Sequence, residues 1–131
     1  MAKPDQVVFV IDDDPSIRAA IKRLLEAVGI KVKTFETGQE FFISEMPDVP
    51  ACMVLDVRLP GRSGLDLQRE MSDKGIHIPI IFIRGHGDGQ VQALAASAID
   101  FLQKPFSENA LFKAINLSLV ITTGGSSDFS D

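Results

Sequence analysis

Short apolar runs alternate with segments of helical periodicity along most of the chain, and this alternation limits the possible folds more than any other feature. The apolar runs are VVFVI (7–11), KVKTF (31–35), CMVL (52–55), IPIIFI (78–83) and AIDFL (98–102). In the clearest helical segment, apolar residues recur at i, i+3, i+4, i+7, i+8 and i+11, as Ile17, Ala20, Ile21, Leu24, Leu25 and Val28. The other helical segments cover roughly 38–46, 64–74, 88–96 and 107–120. Five successive βα units predict an α/β fold, with helices on both faces of a parallel sheet.

The composition of the apolar runs predicts their places in the sheet. Runs 7–11, 52–55 and 80–83 are almost wholly apolar, so we expect them to be central strands buried on both faces. Run 31–35 alternates polar and apolar residues and should lie at an edge. The end of the chain, TTGGSSDFSD, lacks periodicity. We therefore predict one domain over residues 1–121 and a flexible tail or linker start over 122–131.

Length and charge exclude several classes of protein. A chain of 131 residues fits one domain of ordinary size. Its net charge of −5 disfavours non-specific binding to nucleic acid. These residues also contain no helix-turn-helix, so we expect no direct nucleic-acid binding by this chain. No apolar run reaches the roughly 18 residues of a membrane span, and MAKPDQ lacks the apolar core of a secretory signal. We therefore expect a cytoplasmic protein with no membrane partner.

Three carboxylates follow the first apolar run, in VVFVIDDDPS. Asp14 precedes Pro15, and Asp at the N-cap followed by Pro at the first helical position is a common start of a helix. Asp14 is therefore expected to cap a helix rather than to bind a ligand. Asp12 and Asp13 remain, at the C-terminal end of a central parallel strand, where open α/β sheets place their ligand sites.

Two other strands deliver polar residues to the same edge of the sheet. Asp56 ends the third run, and Lys104 follows the fifth in FLQKPF. If the first and third strands are neighbours, Asp56 shares a pocket with Asp12 and Asp13. Three carboxylates require a cation, and hard oxygen ligands favour Mg²⁺ over Zn²⁺. The ammonium of Lys104 is suited to an anion such as phosphate.

Three motifs, IDDDP (11–15), VLDVRLPGRSG (54–64) and DFLQKPF (100–106), resemble those of response-regulator receiver domains, the CheY-like family, over roughly residues 6–120. The stretches LPGRSGLDLQ and GHGD are most similar to the FixJ-like subgroup, whose receivers commonly precede a LuxR-type helix-turn-helix domain. The resemblance implies a flavodoxin-like, doubly wound sheet of five parallel strands in the order 2-1-3-4-5, flanked by five helices.

The resemblance also implies the chemistry of the acidic pocket. A sensor histidine kinase would transfer a phosphoryl group to Asp56 with the assistance of Mg²⁺. Asp13 would bind the metal directly and Asp12 mostly through water, alongside Asp56 and the backbone carbonyl of Arg58. Lys104 would bind the phosphoryl oxygens. Such a chain is a phosphoacceptor signalling domain, not an enzyme acting on outside substrates.

The chain departs from the family pattern in the half that transmits the signal. Arg84 stands where the family usually has Thr or Ser, and Phe101 matches the switch aromatic. We predict that Arg84 can fold over the acidic pocket and pair with Asp56, which would weaken metal binding and couple poorly to Phe101. The alternative is that Arg84 faces solvent and is neutral.

The segment between Arg84 and Lys104 is also shorter than in close relatives. We therefore predict a short or irregular fourth helix, with residues 86–97 the least ordered part of the domain besides the tail. In the family, helix 4, strand 5 and helix 5 form the face that contacts an output domain, another partner or a second copy in a weak dimer.

Two other functions stay open. A degenerate receiver would keep the fold and act as a constitutive interaction module, which Arg84 and the shortened helix favour and the intact acids and Lys104 oppose. A Mg²⁺-dependent phosphatase is the second alternative. It is disfavoured because Arg58 stands two residues after Asp56, where a general acid of the haloacid-dehalogenase type would be.

Overall fold

The computed structural model describes residues 6–59, 61–85 and 100–122. Within these ranges the secondary structure consists of β1 (Val7–Ile11), α1 (Pro15–Glu26), β2 (Lys31–Phe35), α2 (Gly38–Phe42), β3 (Ala51–Asp56), β4 (Arg58–Leu59), β5 (Arg62–Ser63), α3 (Gly64–Asp73), β6 (Ile80–Arg84), β7 (Asp100–Gln103) and α4 (Glu108–Thr122).

Five of these strands form one parallel sheet in the order β2-β1-β3-β6-β7. This is the order 2-1-3-4-5 predicted from the sequence, with the five long strands counted along the chain. All residues of β1 and β3 are buried, whereas β2 lies at the edge and exposes alternate residues. The prediction of central and edge strands is therefore confirmed for these elements.

Two apolar cores lie on opposite faces of the sheet, because successive side chains of a strand point to opposite sides. One core joins the sheet to α2 and α3 through Phe41, Leu67 and Met71. The other joins it to α1 and α4, and it includes a residue near the end of each of three strands, namely Val10, Val54 and Leu102. Asp12, Asp56 and Lys104 each follow one of these residues by two positions. The alternation of the sheet therefore directs all three polar side chains toward the α1 and α4 face.

The start of α1 agrees with the capping prediction. The carboxylate of Asp14 accepts hydrogen bonds from both the backbone nitrogen and the hydroxyl of Ser16, each at 2.9 Å, and Pro15 begins the helix. After the helix, Gly29 adopts a φ of +88°, which glycine tolerates far better than other residues. The cap at Asp14 therefore anchors the C-terminal side of the loop that carries the three acids.

Some elements differ from the sequence-based expectation. Helix α2 ends at Phe42 instead of near residue 46, and the antiparallel pair β4–β5 was not predicted. The expected helix over 88–96, and with it the predicted low order of residues 86–97, lies outside the described residues, as do residues 123–131 of the expected tail. Within the described ranges, no helix has the length and apolar character needed to cross a bilayer.

Candidate functional site

The C-terminal edge of the sheet brings three carboxylates together. One oxygen from each of Asp12, Asp13 and Asp56 lies within 4.8 Å of the others. The parallel pairing of β1 with β3 explains this proximity, because Ile11 lies opposite Leu55 and each is followed directly by an acid. Asp12 and Asp56 are buried, whereas Asp13 is exposed. The cluster is thus a buried pair of acids with one solvent-facing acid at its mouth.

Lys104 contacts both buried acids. Its Nζ atom lies 3.3 Å from Oδ2 of Asp12 and 3.5 Å from Oδ2 of Asp56. The backbone nitrogen of Lys104 donates to the carbonyl of Arg84 at 2.8 Å, which fixes the start of its side chain beside β6. Burial lowers the pKa of Lys104, but the charges of Asp12 and Asp56 outweigh this effect and raise the pKa above its usual value. Lys104 is therefore a permanent cation in the pocket.

Asp56 lies in an environment that opposes its ionisation. Burial raises the pKa of its carboxyl to about 6, and the neighbouring charge of Asp12 adds to the effect. The backbone N–H of Arg58, which donates to Oδ1 at 3.1 Å, and the ammonium of Lys104 act in the opposite direction. At neutral pH, Asp56 is therefore a carboxylate in most molecules. An added positive charge in the pocket would stabilise this ionised form.

One carboxylate oxygen of Asp12 accepts no hydrogen bond from the part of the chain that the structure describes. Its Oδ1 atom accepts from the backbone nitrogen of Asp14 at 2.9 Å. Its Oδ2 atom is buried with no hydrogen bond to any described residue, although the ammonium of Lys104 lies close enough for an ion pair. Oδ2 of Asp12 is therefore paired with a cation without accepting a directed hydrogen bond from it. Oxygen donors in this arrangement fit a hard divalent cation such as Mg²⁺.

Arg18 is a contributor to the site that the sequence reasoning missed. Its Nη1 atom donates to the backbone carbonyl of Asp12 at 2.6 Å. A signal for it was present, because a residue one turn into the capped helix is within side-chain reach of the loop that precedes the helix. The acidic loop is therefore held by its helix as well as by the sheet.

Gly64 permits the start of α3 to approach the end of β3. A Cβ atom at this position would lie 2.5 Å from the backbone oxygen of Asp56 and 3.1 Å from the ring of Phe82. The backbone nitrogen of Gly64 also donates to the carbonyl of Val57 at 2.7 Å. Any larger residue would push the helix away from the strand that carries Asp56.

Arg84 and Phe101 lie on the neighbouring strands β6 and β7, and Phe101 pairs with Phe82, two residues before Arg84. The Cζ atom of Arg84 is 5.5 Å from the centre of the Phe101 ring, within the range of a cation–π interaction. The Phe101 ring in turn stacks on Phe82, with centres 5.8 Å apart and planes 21° apart. Arg84 and Phe101 are therefore in direct contact, which the sequence reasoning did not predict. The expected pairing of Arg84 with Asp56 stays a prediction.

Comparison with known proteins identifies the family. Residues 8–116 match the response regulator receiver domain. The chain is 49% identical over 116 residues to nodulation protein W of Bradyrhizobium diazoefficiens. The aligned region covers 87% of this chain and 51% of that protein. It is 40% identical over 114 residues to the transcriptional regulatory protein FixJ of Azorhizobium caulinodans, covering 86% of this chain and 54% of that protein.

The structure agrees with this relationship. It superimposes on the response regulator StyR with a TM-score of 0.84 at 40% identity, over 96% of this chain and 65% of that chain. The protein therefore belongs to the response-regulator receiver domains of two-component signal transduction, and FixJ-like regulators are among its relatives. The curated relatives are roughly twice as long as the matched region, since the chain spans 51% of one and 54% of the other.

Proposed function

We propose that the chain is the phosphoacceptor module of a two-component regulator, and that Asp56 takes a phosphoryl group from the phosphohistidine of a sensor kinase. The observation that carries this proposal is the convergence of two buried carboxylates on one ammonium, with Nζ of Lys104 at 3.3 Å from Asp12 and 3.5 Å from Asp56. In this proposal, Asp56 is the nucleophile, Lys104 binds the phosphoryl oxygens, and the carboxylates supply oxygen donors for a metal.

In the proposed transfer, a carboxylate oxygen of Asp56 attacks phosphorus as the phosphorus–nitrogen bond to the kinase imidazole breaks. The bonding electron pair leaves with the imidazole, which takes up a proton, and Asp56 becomes an acyl phosphate. Lys104 exchanges its contact with the Asp56 carboxylate for one with a phosphoryl oxygen. Mg²⁺, held by Asp12, Asp13, Asp56 and the backbone carbonyl of Arg58, would neutralise the charge of the transferred group.

We propose that Arg84 alters the activation step that follows. A guanidinium is larger than a hydroxyl and is permanently charged, so it cannot make room for Phe101 by moving inward as a small side chain would. Its contact with the ring of Phe101 supports a role in that step. The same contact is compatible with a degenerate receiver, in which Phe101 keeps one position whatever the state of Asp56.

We further propose that residues 1–121 act as the receiver and that 122–131 begin a linker. A sensor kinase is the proposed phosphodonor, and an output domain or a weak dimer partner would use the face that includes β7 and α4. The expected cytoplasmic location and the absence of direct nucleic-acid binding by this chain belong to the same proposal.

Intact-mass spectrometry after incubation with acetyl phosphate and MgCl₂ tests the proposed function. We expect an increase by one phosphoryl group in the parent and none in an Asp56→Asn variant. Asp48→Asn is the control, because it removes an exposed carboxylate that precedes β3, the strand whose opposite end carries Asp56. An unmodified parent would favour the degenerate receiver, and turnover of a generic phosphoester would favour a phosphatase.

A further inference from the structure

We propose that Arg18 is a positioning residue for the metal site, acting through the peptide that joins Asp12 to Asp13. The inference rests on the proposed Mg²⁺-dependent function and assigns a role to a residue outside the acidic cluster. The contact that carries it is the hydrogen bond of 2.6 Å from Nη1 of Arg18 to the backbone oxygen of Asp12.

The hydrogen bond from Arg18 can orient Asp13 because it acts on the middle of the acidic loop, between two other hydrogen bonds. The backbone nitrogen of Asp12 donates to the carbonyl of Phe35 at 3.2 Å, so one side of the loop is tied to β2. The backbone nitrogen of Asp14 donates to the Asp12 carboxylate, so the other side is tied as well. The hydrogen bond from Arg18 fixes the backbone carbonyl of Asp12, which lies between these two hydrogen bonds. That carbonyl belongs to the peptide plane from which Asp13 projects.

Asp13 is the acid that most needs such support. Asp12 and Asp56 are buried and paired with Lys104, whereas the Asp13 side chain is exposed. An exposed carboxylate must lose conformational freedom when it binds a metal, and a fixed backbone lowers that cost. The bond from Arg18 therefore orders the loop before the metal arrives.

The charge of Arg18 acts in the opposite direction. A guanidinium near an acidic cluster repels a divalent cation, so its removal by itself should tighten Mg²⁺ binding. The half-buried side chain is partly screened by solvent, which weakens this repulsion. Hydrogen bonds that orient metal-binding residues typically change affinity by about tenfold or more, so we expect the positioning effect to prevail.

Two variants at one position separate the effects. Arg18→Lys keeps the charge but replaces the planar guanidinium fork with a slightly shorter, flexible ammonium. Arg18→Gln loses the charge as well. Positioning predicts weaker Mg²⁺ binding in both variants, by about tenfold in the Lys variant. A purely electrostatic role predicts an unchanged affinity in the Lys variant and a tighter one in the Gln variant.

Calorimetric titration with MgCl₂ is the appropriate assay, because the chain has no Trp or Tyr for a fluorescence titration. Arg23→Lys and Arg23→Gln, in an exposed arginine of the same helix, are the matched controls and should bind like the parent. In the metal-free protein, the backbone amides of Asp13 and Asp14 should exchange hydrogen faster in the Arg18 variants than in the controls.

A kinetic measurement distinguishes positioning from a general loss of structure. We expect the Arg18 variants to need more Mg²⁺ for half-maximal phosphorylation by acetyl phosphate and to reach the parent rate at saturating metal. If Arg18→Lys binds Mg²⁺ as tightly as the parent, the inference is wrong and the proposed function stands. If the parent itself binds no Mg²⁺, the proposed function fails and the inference fails with it.

Discussion

Replacing Asp56 by Asn should stabilise the metal-free protein, and the gain should depend on pH. The pKa of Asp56 is raised from 3.8 to about 6, chiefly by burial. This difference in pKa between the folded and the unfolded chain corresponds to about 3 kcal/mol between the two protonation states. Asn resembles the neutral carboxyl, and its side-chain oxygen can still accept from the backbone N–H of Arg58. We therefore expect Asp56→Asn to raise the free energy of unfolding by about 2–3 kcal/mol at about pH 8.

The direction of the pH dependence follows from the raised pKa. Between about pH 4 and pH 6 the folded parent binds more protons than the unfolded chain, so its stability falls as the pH rises through this window. The Asn variant lacks this loss of stability, so the free energies of unfolding of the two proteins should become equal below about pH 4. Above about pH 6 the difference should be constant.

Urea unfolding followed by far-UV circular dichroism, at a series of pH values and with a chelator present, measures this difference. Asp48→Asn serves as the control and should show no comparable gain. Added Mg²⁺ should stabilise the parent more than Asp56→Asn and so reduce the difference between them. An equal stability of parent and variant at every pH would refute the account of a crowded, buried carboxylate.

Three further changes test other parts of the site. Lys104→Met should destabilise the metal-free protein at neutral pH by about 1–3 kcal/mol in urea unfolding, because two buried acids lose their ammonium partner, and an unchanged midpoint would contradict this. Arg84→Thr should bind Mg²⁺ more tightly by calorimetry and accept phosphate faster from acetyl phosphate; identical titrations and rates would mean that Arg84 affects neither metal binding nor phosphorylation. Gly64→Ala should lower the free energy of unfolding by about 1–3 kcal/mol, because its methyl group would meet the backbone oxygen of Asp56 at 2.5 Å, and wild-type stability would show that α3 shifts freely.

The sheet could be predicted from the sequence because its signal is local and repeated. Runs such as 7–11 and 52–55 are too apolar for any place except the middle of a parallel sheet. The short pair β4–β5 could not be predicted in this way, because two-residue strands have no periodicity of their own. The end of α2 at Phe42 could not be predicted for a similar reason, since the segment that follows is too short to show where helical spacing stops.

The acidic cluster could be inferred because the ends of parallel strands meet at one edge. Asp12 and Asp56 each follow a buried strand directly, so their proximity depends only on strand order and register. The contacts of Arg18 and Arg84 could not be inferred with the same certainty. A long, flexible side chain reaches many partners, and its choice depends on the packed structure around it.

The most direct test of the central claim is to locate the phosphoryl group after reaction with acetyl phosphate and Mg²⁺. Borohydride reduces an aspartyl phosphate to homoserine, so proteolysis and sequencing by mass spectrometry identify the modified position. We predict homoserine at position 56 in the parent, and none there when Mg²⁺ is removed by a chelator. A phosphoryl group on Asp12, Asp13 or any other residue, with Asp56 unmodified, would contradict the account.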